Sequence, residues 1–154
     1  MNDDFCFSPL LTIVVPCFNG MTCIRKCLDS FLPAPVPVQI VAIDDNSGDS
    51  TLAILLEYKA KFPGIFDVIH NNENLYASGC RNLGLGIARG KYVFFADCDD
   101  WILKDPFYTC LSELEESGAD LCLAVEEMNG AGFKTNYQKH VTRIADGSII
   151  DCNF

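Results

Sequence analysis

The chain has 154 residues, 49% hydrophobic content and a formal charge of −10, from 11 basic and 21 acidic side chains. That is enough for one domain with a real core, and the acidic balance excludes non-specific nucleic-acid binding, which needs a basic footprint. No apolar run reaches the roughly 18 residues of a membrane span, and the acidic start Met1-Asn2-Asp3-Asp4 is not that of a signal peptide.

In chain order, residues 11–17 are apolar and β-branched and read as a strand. Residues 21–31 carry helical spacing, with Ile24, Cys27, Leu28 and Phe31 on one side, and Pro33, Pro35 and Pro37 end that helix. Residues 39–43 form a second strand, Asp44 to Gly48 a turn, and 50–62 a helix. A third strand covers 66–70. A helix follows over 77–88, with Gly90 as its stop. The glycines at 84 and 86 read as close-packing positions on that helix. Residues 91–96 form a fourth strand with two apolar faces, 105–117 a helix stopped by Gly118, and 119–125 a fifth strand. Residues 133–144 read as a hairpin or an ordered loop. Strands alternating with helices predict an α/β fold with a mostly parallel, doubly wound sheet in three layers. The whole chain, 1–154, reads as one domain with its core over 11–125.

Nine cysteines lie mostly within apolar runs, where a free thiol behaves as a small hydrophobe. Their odd number predicts reduced thiols in a cytoplasmic protein. Cys23 and Cys27 share a helix face, but no paired Cys or His spacing supplies the further ligands of a zinc site. His70 and His140 stand alone and read as structural.

Polar clusters fall just past four predicted strands: Pro16 to Gly20, Asp44 to Asp49, Asn71 to Asn74 leading into Gly79 to Asn82, and Asp97 to Asp100. In a parallel sheet these ends meet on one rim. Each cluster also has a bland reading. Asn19-Gly20 suits a turn, Asp45, Ser47 or Asp49 suits a helix cap, and Asn74 suits an Asx turn. Arg81 suits a surface ion pair. Their joint placement argues for a binding site. Carboxylates as close as Asp97, Asp99 and Asp100 repel one another by roughly 1 kcal/mol per pair in water. A hard divalent cation carrying phosphates would offset that. The first βα turn lacks a GxGxxG run, and no GxxxxGK[ST] loop occurs. Phosphates would then be held chiefly through a metal.

Val15 to Asn19, Asp44 to Ser47, Asn74 to Gly84, Gly90 to Tyr92 and Asp97 to Trp101, in that order, resemble family 2 glycosyltransferases with the Rossmann-like GT-A fold. The resemblance covers residues 11 to about 125. It implies an inverting transferase that moves a sugar from a nucleotide-sugar, most often a UDP-sugar, to a saccharide or glycolipid acceptor. The implied donor site comprises Pro16, Phe18, Asn19, Asp44, Asp45, Arg81, Asp97 and Cys98. Phe18 would lie against the base, Asp45 would accept from its N–H, and Asp44 and Asp97 would stand near the ribose and metal. Arg81 and Asn82 would stand near the donor. Asp99, with Asp97, would hold Mn2+ or Mg2+. The general base belongs to a later acidic residue. Glu126, Glu127 and Asp151 are the only late candidates, and none sits in a matching motif. The expectation is a donor half, with 126–154 beginning the acceptor side. The rival is a nucleotide-sugar-binding module without transfer. A sugar nucleotidyltransferase would need a basic, Gly-rich loop where Asn19-Gly20-Met21-Thr22 stands.

Overall fold

The structure is a computed structural model that describes residues 8–125, 138–145 and 148–153. The chain forms two compact units, the first running to Ile102 and the second from Leu103.

The first unit is built on a parallel sheet. Strands β1 (Leu11–Cys17), β2 (Val38–Asp44), β3 (Phe66–His70) and β4 (Tyr92–Phe95) lie in the order β3-β2-β1-β4. The register runs Leu11 to Val38 and Cys17 to Asp44 on one side of β1, and Leu11 to Tyr92 and Val14 to Phe95 on the other. The strand order reverses between β1 and β4, which is where open α/β sheets bind ligands. β1 and β2 are buried on both faces and mostly apolar, because both faces are covered. Helices α1 (Ile24–Phe31), α2 (Thr51–Lys61) and α3 (Tyr76–Gly86) connect the strands. Right-handed crossovers place α1 and α2 on one face and α3 on the other. On the α3 side, Val14, Val41, Ile43 and Cys80 form a fully buried cluster, flanked by Ile69, Leu75 and Val93. On the opposite face, Phe31 of α1 meets Phe94 of β4 edge-on at 6.2 Å.

Two glycines differ from the sequence expectation. Gly84 is a packing position, since an added Cβ would overlap the Val14 side chain, but Gly86 has nothing within 4 Å of its would-be Cβ. Gly90 does not stop the helix. α3 ends at Gly86, with the Ile87 N–H bonding back to the Gly84 carbonyl and the Ala88 N–H to that of Leu85. Gly90 instead lets the chain pass against β1, and its N–H donates to Thr12 Oγ1 at 2.8 Å.

That contact belongs to a buried polar network that the apolar strand pattern concealed. Thr12 Oγ1 donates to Gln39 Oε1 at 2.7 Å, and the Arg89 N–H donates to the same oxygen at 2.8 Å. Gln39 Nε2 donates to Asp67 Oδ2 at 2.8 Å and to the Ile87 carbonyl at 3.2 Å. Gln39 is buried, so replacing it with leucine strands the Thr12 hydroxyl without its acceptor. Gln39→Leu is expected to lower stability by about 2 kcal/mol, read as a shift in urea midpoint with an unchanged slope.

In the second unit, α4 (Lys104–Ser117) ends at Gly118, whose φ of 63° is the left-handed cap expected there. Strand β5 (Leu121–Val125) does not extend the parallel sheet. It pairs antiparallel with β6 (Gln138–Ala145), which pairs antiparallel with β7 (Ser148–Asn153). A five-residue apolar run does not say which sheet will take it, because pairing is settled by the partner strand. Of the predicted hairpin or loop over 133–144, residues 133–137 lie outside the described residues, and 138–144 belong to β6.

Candidate functional site

A cleft of about 250 Å3 opens at the carboxyl ends of the strands, lined by Pro16, Cys17, Phe18, Asp45, Asn74, Tyr76, Ala77, Asp97 and Cys98. Three strand ends and the amino end of α3 meet there. Each wall is held in place by side chains from its neighbour.

The loop after β1 is clasped to the loop after β2. The Asn19 N–H donates to Ser47 Oγ at 3.0 Å, and the Gly48 N–H returns to Asn19 Oδ1 at 2.8 Å. The Gly20 N–H donates to Thr51 Oγ1 at 2.8 Å, and the Met21 N–H to Asp49 Oδ2 at 3.1 Å. Asn19 and Asn46 adopt φ of 51° and 63°, a left-handed conformation that asparagine tolerates. Asn19 thus positions this loop. Asp49 accepts the Thr51 N–H at 2.9 Å and serves the start of α2.

Asp45 is 3% exposed and joins three elements. Its N–H donates to the Cys17 carbonyl at 2.8 Å, and its Oδ1 accepts from Asn71 Nδ2 and from the Leu75 N–H, both at 2.8 Å. Burial alone would raise the Asp45 pKa, but the Leu75 N–H and the Asn71 amide outweigh it and hold the carboxyl below its ordinary range. Asp44, at the end of β2, is fully buried. Its Oδ2 lies 2.7 Å from His70 Nδ1, while its Oδ1 has no hydrogen-bond partner among the described residues. His70, which reads as a lone histidine in the sequence, is therefore the neighbour of an acidic group at the rim.

The segment after β4 is anchored to α1. The Cys27 thiol donates to the Asp97 carbonyl at 3.5 Å, and the Ile102 N–H donates to Ser30 Oγ at 3.2 Å. Lys26 Nζ stands 2.9 Å above the Trp101 ring, a cation–π contact. Arg81 Nη2 pairs with Asp97 Oδ1 at 2.5 Å, and Arg81 Nε is buried without a partner among the described residues. Asp99 is exposed beside the cleft and forms no ion pair among the described residues. The Cys98 thiol is brought down to about 7, first by its contact with Cys17, against the opposing effect of burial and with help from the Phe18 N–H. Cys17 moves the other way, raised by that same contact and by burial.

The structure thus gathers Pro16, Phe18, Asp45, Asp97 and Cys98 on one cleft. It sets Arg81 against Asp97, buries Asp44 beneath the rim and uses Asn19 in a loop clasp. Glu126 and Glu127 lie outside the described residues, and of Asp151 only the backbone is described. The cleft residues Asn74, Tyr76 and Ala77 were not among the assigned donor-site residues, although Asn74 belongs to the predicted rim cluster. Asn74 accepts the Tyr76 N–H at 2.9 Å in the predicted Asx turn. Tyr76 holds φ at 59° and is 75% exposed, a strained position for a bulky residue at the mouth of the cleft. The signal for them was the polar cluster after the third strand, which names a loop without saying which of its side chains face inward.

Among the described residues, no three His, Cys, Asp or Glu side chains are grouped to hold a metal ion by themselves. Mg2+ and its analogues bind with nucleotides through one or two carboxylates and complete their shell with phosphate oxygens and water. The exposed, hard oxygens of Asp99 and Asp97 fit that donor set. Among the described residues, no helix is long and apolar enough to cross a membrane.

The sequence matches the family described as Glycosyl transferase family 2 over residues 12–149. It is 34% identical over 141 residues to the poly(ribitol-phosphate) beta-glucosyltransferase of Bacillus spizizenii, covering 88% of this chain and 22% of that protein. Among solved structures, S. aureus TarS 1–349 in complex with UDP-GlcNAc superposes with a TM-score of 0.68 at 28% identity, over 80% of this chain and 36% of that one. The mannosyltransferase PcManGT from Pyrobaculum calidifontis, in complex with GDP-Man and Mn2+, shares the fold with a TM-score of 0.65 at 22% identity, over 77% of this chain and 36% of that one. The chain therefore spans about a fifth to a third of the length of these relatives. With a parallel β3-β2-β1-β4 sheet, a cleft at its switch point and a family match across most of its length, this chain belongs to glycosyltransferase family 2 and has the GT-A fold.

Proposed function

We propose that the cleft is the donor site of an inverting, metal-dependent glycosyltransferase that takes a UDP-sugar and serves a saccharide or glycolipid acceptor at the cytoplasmic membrane face. The observation that carries this reading is the convergence of Phe18, Asp45, Asp97 and Cys98, from three different strand ends, on one cleft. Phe18 is an exposed aromatic face on which a base can stack. Asp45, its carboxyl already oriented by Leu75 and Asn71, is an acceptor for the imide N–H of uracil. Arg81 Nε and Asp44 Oδ1, buried and without a hydrogen-bond partner among the described residues, leave polar capacity at the rim for diphosphate and ribose.

Asp99 and Asp97 would hold Mn2+ or Mg2+, and when bound the ion stabilises the charge on the departing diphosphate. The chain's own residues orient the donor. Asp97 holds Arg81 beside the cleft, and α1 holds the segment after β4 through Cys27 on Asp97, Lys26 on Trp101 and Ser30 on Ile102. The acceptor hydroxyl and the base that takes its proton fall to parts of the enzyme beyond this cleft, so this chain is read as the donor half.

Calorimetry with UDP, GDP and dTDP, each with and without Mn2+, tests the proposal. UDP is expected to bind most tightly, with a gain of about tenfold or more from Mn2+, equal to about 1.4 kcal/mol. Asp99→Ala is expected to remove that gain. A full Mn2+ gain in Asp99→Ala would refute the metal assignment, and absence of UDP binding would refute the donor site.

A further inference from the structure

Four thiols from three parts of the fold gather beside the cleft. Cys17 ends β1, Cys23 and Cys27 lie one turn apart at the start of α1, and Cys98 follows β4. All four are free. Cys98 stands close enough to the thiols of Cys17 and Cys23 for each to perturb its acidity. Gly20 makes the room for this. A Cβ at Gly20 would stand 3.1 Å from Cys98 Sγ and 3.7 Å from Cys23 Sγ, so the two sulfurs flank the same point.

The thiols are not equivalent. Cys17 is 1% exposed within a paired strand, and its thiol donates to the Val15 carbonyl at 3.3 Å. Cys27 is buried and committed to the Asp97 carbonyl. Cys23 and Cys98 are both partly exposed, Cys98 on the cleft wall and Cys23 at the cap of α1, ahead of the helix itself. These two can be reached from solvent, and both stand on segments outside the regular elements.

We propose that Cys23 and Cys98 form a reversible dithiol site, closed to a disulfide by a peroxide, and that closure weakens ligand binding in the cleft. In the step, two S–H bonds and the peroxide O–O bond break, and one S–S bond and two O–H bonds form. The sulfurs lose two electrons, and hydrogen peroxide leaves as two waters. A disulfide holds its sulfurs at about 2.05 Å, well inside the contact distance of two thiols. The bond therefore draws Cys98 toward the amino end of α1 and carries its neighbours Asp97 and Asp99 with it.

The dithiol goes beyond the donor-site reading, while its effect on nucleotide affinity rests on that reading, so the two are read separately. The chain is treated with hydrogen peroxide, remaining thiols are alkylated, and disulfide-linked peptides are mapped by mass spectrometry. UDP affinity with Mn2+ is measured before oxidation, after it, and after dithiothreitol. The expected result is a Cys23–Cys98 link, UDP affinity reduced about tenfold, and full recovery on reduction. Cys23→Ser is expected to bind UDP as the reduced wild type does and to lose the response to peroxide. No link, a link from Cys98 to Cys17, or an oxidised protein with undiminished UDP affinity would overturn the proposal. If the reduced chain binds no UDP, the donor reading fails, and the peptide map alone decides the dithiol.

Discussion

Asp45→Ala is expected to destabilise the first unit by about 3 kcal/mol, because it leaves two donors without their acceptor. Those donors are the Asn71 amide and the Leu75 N–H, which share Asp45 Oδ1 at 2.8 Å each. They tie the loop after β3 and the start of α3 to the end of β2. Asp45→Asn separates the hydrogen bonds from the charge. Its carbonyl oxygen can still accept from both donors, so most of the stability is expected to remain at neutral pH.

The two variants also differ from wild type in acid. The Asp45 carboxyl is held below its ordinary value in the folded chain, with burial opposing and the Leu75 and Asn71 donors prevailing. A carboxyl depressed on folding stabilises the fold fully above its unfolded value of about 3.9. That stabilisation is lost as the pH falls through the lower, folded value. Wild type is therefore expected to lose more stability than Asp45→Asn between about pH 4 and pH 2. Urea midpoints measured across that range check it, and parallel curves for the two proteins would remove Asp45 from the acid response.

Gly90→Ala is expected to cost about 3 kcal/mol or more, at or above the upper end of overpacking effects, and to lower the melting temperature by about 10 °C. An added Cβ would overlap the Thr12 amide nitrogen and stand 2.7 Å from the Leu11 carbonyl carbon. These are backbone atoms of β1, which is paired on both sides, so no rotamer change relieves the overlap. Gly86→Ala is the contrasting control. Nothing lies within 4 Å of its would-be Cβ, and the position is helical. There alanine is expected to raise stability by about 0.5–1 kcal/mol through the unfolded chain. Thermal denaturation of the pair separates close approach from helix propensity, and equal melting temperatures would refute the packing role of Gly90.

The elements of the first unit were legible because their signals are local. β1, helix α2 and β3 fall within a residue or so of the spans predicted from apolar runs and helical spacing. The start of α1 was less so. The helix begins at Ile24, since Met21 to Cys23 form a turn in which the Cys23 and Ile24 N–H groups return to the Gly20 carbonyl. That choice depends on Thr51 and Asp49 holding the loop from across the sheet, and helical spacing does not register them.

The candidate site divides along the same line. Chain order and residue type disclosed which loops carry polar side chains, and a parallel sheet brings those loops to one edge whatever their details. Sequence did not disclose that Asn19 is used up in holding Gly48, that Arg81 turns to Asp97, or that Tyr76 rather than a neighbour stands at the mouth.

By itself, the sequence determined the alternation of strand and helix, the parallel sheet and the edge on which the acidic groups gather, because periodicity and strand-end placement are carried by consecutive residues. Only the tertiary structure decided that Gln39 and Thr12 would be polar inside the sheet, that β5 would join an antiparallel partner, and that Cys23 and Cys98 would stand side by side. Those outcomes depend on which distant segments come into contact, and contact between residues tens of positions apart leaves no mark on the local pattern of either.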